Sequence, residues 1–232
     1  MFSPIETFVV EALEQRRHLS ATLLSAYWPL TQGSTWQYRD VDDGKVSTST
    51  ETIVPGTEAA NGERAFQRVT NDANGRGTSL QNISPTGRVQ FHAVRSSEMS
   101  MKFHPAIAFP KFARPGEHTT IDGTVDLLSR SVLLKGTYHV DFRILKREQV
   151  KVAAGTFSAI KITMTQEVKV AYHKNGHDLV MKLTAIDTEW WAKGVGEVKS
   201  MGSSHFETNT DGKRKSEDGV DKSALQSYSI AP

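Results

Sequence analysis

Cysteine is absent from the chain, which excludes thiol nucleophiles, zinc knuckles and disulfide staples and is compatible with either redox compartment. Long apolar runs are also missing. The longest clusters, such as Val132-Leu133-Leu134, are strand-sized and far short of the roughly 18 residues that a membrane-spanning helix needs. Charge of one sign is lacking as well: 28 Lys and Arg stand against 26 Asp and Glu, so no nucleic-acid footprint and no acidic solubilising tail is implied. Catalytic signatures are scarce. There is no Gly-x-Ser-x-Gly and no His-Glu-x-x-His, and Gly194-Val195-Gly196 has neither the third glycine nor the following helix of a dinucleotide loop. No cofactor is implied. At 232 residues a single domain can bury about 70 to 75% of its unfolded surface, enough to be stable without disulfide or metal.

What is present is β-sheet patterning. From Tyr27 onward, Asp43-Gly44, Asn61-Gly62, Asn74-Gly75, Thr86-Gly87, Asp122-Gly123, Asn175-Gly176 and Asp211-Gly212 punctuate the chain, and such dipeptides supply the positive φ angles of tight hairpins. Between them apolar residues alternate, as in Trp36/Tyr38, Val89/Phe91/Ala93, Met99/Met101/Phe103, Val140/Phe142/Ile144, Ile160/Ile162/Met164 and Leu179/Met181/Leu183. Each strand therefore has one buried and one polar face. The expected fold is mainly β: a single large curved antiparallel sheet or half-open β-barrel, with an N-terminal amphipathic helix. Prolines at 105, 110 and 115 make Phe103–Arg114 an apolar connection across one mouth of the sheet, not a central strand.

The first 26 residues differ. Phe8, Val9, Ala12, Leu13, Leu19, Leu23 and Leu24 recur at helical spacing, which predicts a helix from about Ile5 to Leu24. The domain reading is 1–26 as this helix and a possible sorting element, and 27–232 as the antiparallel β domain. Charges at Glu6, Glu11, Glu14, Arg16 and Arg17 exclude a standard secretory signal.

Several constellations suggest metal chemistry, and each has a plainer reading. His173 and His177 share a face only on a helix; on a two-residue hairpin His173 opposes Asp178 and Lys174 opposes His177, an exposed cross-strand pairing. Asp40-Val41-Asp42-Asp43-Gly44 with Glu51 echoes a calcium loop, but its glycine falls one position early and its flanks are strands. No metal site is expected, and the histidines are scattered. The aromatic residues are more distinctive: Trp36, Tyr38, Phe91, Phe142 and Trp190 are candidates to line an apolar concave face that binds a ligand.

Val10–Ala21 resembles the LEPR-XLL-type N-terminal element of planctomycete exported proteins: Leu13, Glu14, Arg16 and Leu19 match, while Gln15 and His18 depart from it. Three further stretches resemble the DUF3108-like family of exported proteins of unknown function, whose curved sheet is akin to the lipoprotein-carrier (LolA/LolB-like) fold. They are Tyr27-Trp28-Pro29-Leu30 with Gly33, Trp36 and Tyr38; Val150–Ile162 with its Ala-Gly-Thr-Phe turn; and Glu189–Met201, where two tryptophans run into Gly-Val-Gly. These resemblances imply an extracytoplasmic location, in the periplasm or at the cell surface. Strand alternation puts Trp190 and Trp191 on opposite faces, and the resemblance implies that Trp190 points inward.

The leading expectation is a non-enzymatic extracytoplasmic protein that binds an apolar or lipid-like ligand or a cell-envelope component. It is expected to have no nucleic-acid partner and no transmembrane segment. A structural or interaction module of the cell surface without cargo differs by having its concave face filled with its own side chains. An envelope hydrolase would need a His and a carboxylate to converge on a Ser.

Overall fold

A computed structural model describes residues 22–60, 63–73, 75–129, 132–174 and 177–232. Twelve strands follow one another in the chain: β1 (Thr35–Asp42), β2 (Lys45–Ala60), β3 (Glu63–Asp72), β4 (Gly75–Ile83), β5 (Val89–Arg95), β6 (Met99–Ala108), β7 (His118–Ser129), β8 (Val132–Val152), β9 (Gly155–Lys174), β10 (His177–Ala192), β11 (Gly196–Thr210) and β12 (Lys213–Ser229). Each pairs antiparallel with its neighbours, and β1 pairs with β12. The expected antiparallel sheet is therefore present, and it is closed instead of half-open. The closing register carries Tyr38 onto Leu225 and Asp42 onto Asp221, a pairing between the two ends of the sheet that no local periodicity encodes.

Turn chemistry accounts for the hairpins. Asp43 and Gly44 have φ of 47° and 81°, and Asp211 and Gly212 have 51° and 81°, the doubly positive pattern of a turn whose twist matches that of its strands. The calcium-like stretch is thus the β1–β2 hairpin. Asn61-Gly62 and Asn175-Gly176 lie outside the described residues, between β2 and β3 and between β9 and β10. Asp122-Gly123 is not a turn. It lies within β7, where a Cβ on Gly123 would come within 2.5 Å of both His104 O and the Tyr138 ring, so glycine is there for close approach.

Two ends result. The hairpins β1–β2, β3–β4, β5–β6, β7–β8, β9–β10 and β11–β12 share one, called here the open end. The other receives the remaining connections and is plugged by the chain on either side of the barrel wall. Leu23 bridges to Phe112, Leu24 N–H donates to Lys111 O, and Ala113 N–H donates to Thr22 O. A short 3-10 turn, Leu24–Tyr27, carries Leu24 and Tyr27 into the core. The helix expected over Ile5–Leu24 and the sorting element over Val10–Ala21 lie outside the described residues up to Ala21, and Thr22 and Leu23 are not helical.

Phe103–Ala108 corrects the sequence reading, because it continues β6. Its ladder to β7 ends at His104, and its pairing with β5 slips between Phe91/Ile107 and Ala93/Lys102. Pro105, with no N–H to donate, occupies the irregular part. Phe109 and Ala113 beyond it are buried in the plug, as an apolar connection across that mouth should be.

Candidate functional site

The inner face of the wall follows from register, since directly paired residues share a face. At the closed end it is filled. Trp28 stacks on Trp191 with ring centres 3.9 Å apart and planes within 8°, and it also meets Phe91 and Phe109; Phe109 meets Phe142. The Trp36 indole N–H donates to Val195 O at 2.6 Å, and the Tyr38 hydroxyl donates to Glu197 O. Four of the five residues expected on an apolar inner face, Trp36, Tyr38, Phe91 and Phe142, therefore do come together inside the barrel, packed against the protein's own side chains.

Trp190 is elsewhere. It pairs directly with Lys161 and Lys199, whose ammonium groups lie 5.1 and 4.8 Å from its ring centre, and its indole N–H donates to Glu148 at 2.6 Å. It belongs to the outer face and is sheltered there by long polar side chains. Trp191 is the inward residue, reversing the expectation. A register shift between the two adds Val198 to the opposite strand and re-aims Glu197 inward beside Trp191.

Next to the aromatic plug the interior turns polar around a buried cation. The Arg68 guanidinium, on β3, lies 5.0, 5.7 and 6.0 Å from the ring centres of Trp36, Trp191 and Trp28. Its Nη1 donates to Glu51 at 2.9 Å, while Nε and Nη2 are buried without a hydrogen bond; the indole faces supply part of what is missing electrostatically. Two more glutamates share this region. Glu189 accepts the Trp191 indole N–H at 2.6 Å. Burial, reinforced by Asp187, pushes its carboxyl up to about 7, and burial with Glu189 and Glu51 raises Glu197 well above the usual carboxylate range.

Asp187 and Asp221 flank Gly202 in one cross-strand row. A Cβ on Gly202 would sit 2.6 and 2.5 Å from their Oδ1 atoms, so glycine makes room for the two carboxylates. Burial and Asp221 raise Asp187 to about 6. Each group disfavours ionisation of the next, because charge in a poorly solvated interior is costly.

Toward the open end the facing wall is apolar, and the interior is not filled. A cavity of about 270 Å³ is lined by Met99, Met101, Leu127, Val168, Val170, Met181, Leu183 and Phe206, with Glu217 its one ionisable residue. These come from six strands across the barrel, and Met99 and Glu217 are exposed where the cavity opens. Methionines suit such a site because an unbranched thioether adapts to varied shapes. The alternations Met99/Met101/Phe103 and Leu179/Met181/Leu183 had marked these as one-sided strands. Sequence offered no signal that their inner faces would meet across a void.

Among the described residues no group of three or more His, Asp and Glu could hold a metal. His173 pairs with Asp178 across the β9–β10 ladder, as the hairpin register required. His139 with Asp122 and His205 with Asp218 repeat that directly opposed arrangement on exposed imidazoles, and His118 reaches Asp141 diagonally across the β7–β8 ladder.

The DUF3108-like family model matches residues 86–205, more than half of the chain. No curated protein matches. Among solved structures, a candidate lipoprotein from Parabacteroides distasonis is 14% identical with a TM-score of 0.52, the match covering 88% of this chain and 98% of that one. A candidate exported protein with a YmcC-like fold from Bacteroides fragilis is 16% identical with a TM-score of 0.49, covering 87% and 97%.

Proposed function

The chain belongs to the DUF3108-like family, and we propose that it is a non-enzymatic extracytoplasmic barrel that takes an apolar or lipid-like chain into the cavity at its open end. The observation that carries this reading is the cavity itself: about 270 Å³, open at one end, with eight apolar residues and one carboxylate around it. A void of that size lined by Met, Leu and Phe forfeits packing unless something apolar fills it. Its lining supplies no nucleophile and base in contact, so binding, not chemistry, is what the residues support. The similarity to the Parabacteroides structure, a candidate lipoprotein, supports an extracytoplasmic location.

This places the ligand away from Trp36, Tyr38, Phe91 and Phe142, whose part is to close the far end, and from Trp190, which is outside. A neutral naphthylamine probe that brightens in apolar surroundings tests the proposal. Saturable binding to the native protein, weakened at least tenfold by Leu183→Phe with little change in the melt, is the expected result. No saturable binding, or equal binding by the variant, would overturn it and favour the cargo-free interaction module.

A further inference from the structure

The open rim carries two hairpins of opposite character. On β7–β8, Leu128 and Leu133 face each other across the ladder on the outer surface and are 46% and 56% exposed. Val132, also exposed, opposes Ser129, and Ser129 pairs with Met99 of the cavity lining. The exposed apolar side chains of this hairpin thus lie one ladder step from a strand that lines the cavity.

The β11–β12 hairpin carries three consecutive cations just after its turn, with Asp211, Glu217 and Asp218 to either side. Lys213, Arg214 and Lys215 follow its turn and are all exposed. Arg214 also lines, with Lys135, Lys169 and Lys182, an outer depression of about 490 Å³ that reaches back to the β8 strand of the apolar hairpin. Three acids temper the charge of the depression: Glu207 lies 3.7 Å from Arg214, Glu167 lies 3.9 Å from both Lys169 and Lys182, and Asp126 opposes Lys135 across the ladder. In the depression the cations Lys135, Lys169, Lys182 and Arg214 outnumber these acids.

We propose that this rim docks on the surface of an anionic lipid bilayer. Leu128 and Leu133 enter the boundary between headgroups and acyl chains, while Lys213–Lys215 and the cations of the depression meet lipid phosphates. Apolar burial and attraction to anionic headgroups add in such binding, and neither side chain set has a competing role in the barrel core. A two-fold dimer through the same patch is disfavoured, because it would bring like-charged depressions together. The docking surface does not require an occupied cavity, so its test and that of the ligand reading fail separately.

Flotation with vesicles made of equal parts phosphatidylcholine and phosphatidylglycerol, and with phosphatidylcholine alone, decides the matter. The native chain should float with the anionic vesicles, weakly with the neutral ones, and less as salt is raised. Lys213→Ser/Arg214→Ser/Lys215→Ser should lower partitioning about a hundredfold, and Leu128→Ser/Leu133→Ser at least tenfold. Leu183→Phe, which fills the cavity, should float like the native chain. Leu133→Ser alone, at the more exposed of the two leucines, serves if the double variant melts early. Absence of anionic-vesicle binding, indifference to salt, or native flotation by the leucine variants would overturn the proposal. So would a dimer in sedimentation that those leucine substitutions dissolve while vesicles are ignored.

Discussion

Replacing Glu189 by Gln should make the protein more stable at alkaline pH and leave it unchanged in acid. Glu189 has its carboxyl raised from 4.5 to about 7, chiefly by burial. Between those values the folded chain holds a proton that the unfolded chain has released, so stability falls as pH rises through that window. Each tenfold gain in proton affinity on folding is worth about 1.4 kcal/mol, so ionised Glu189 costs on the order of 3 kcal/mol by about pH 8. Glutamine never ionises, and its amide oxygen can still accept the Trp191 indole N–H now taken by Glu189. Urea unfolding at about pH 4 and about pH 8 is the assay: the variant should match the native protein at the first and exceed it by up to about 3 kcal/mol at the second. Asp187 and Glu197, raised for the same reason, keep some slope in the variant. Identical pH profiles for the two proteins would refute the picture of a proton held at Glu189 by an interior that disfavours its charge.

Trp191→Ala should cost about 3 to 5 kcal/mol in denaturant unfolding by removing the partner of Trp28, whereas Trp190→Ala, on the outer face, should cost under about 2 kcal/mol. Gly123→Ala drives a methyl into His104 O and the Tyr138 ring; a loss of roughly 1 to 3 kcal/mol is expected, visible as a lowered melting temperature.

The contrast between the two tryptophans shows where sequence reading succeeds and where it stops. Counting by twos from Leu179, Met181 and Leu183 along β10 reaches Trp191, which is indeed the inward residue. The count is disguised because the middle of the strand inverts its polarity: Ile186 is 50% exposed outside, while Asp187 and Glu189 point in. An interior wide enough to hold a cation among carboxylates breaks the equation of apolar with inward on which alternation depends. Most of the strands, the β1–β2 and β11–β12 turns and the His173–Asp178 pair were legible because they rest on local rules; the end of β6 and the glycine within β7 were misread, since proline and glycine there serve an irregular ladder and a close approach. Barrel closure, the Arg68 cluster and the methionine-lined cavity were not. Arg68 and Glu189 lie on strands far apart in the chain, and nothing in the spacing of either anticipates that they share an interior.

Pairing of β1 with β12 leaves the sheet without a free border. An open sheet offers unpaired main-chain donors and acceptors to any extended peptide, which makes it a template both for recruiting partners by strand addition and for aggregating. Within the described wall that means of association is closed, and whatever this barrel recognises must be read by side chains, at its rim or through its mouth. Removing Lys213–Ser229 would undo this in one step, exposing β1 and β11 together and turning a self-contained wall into two adhesive margins.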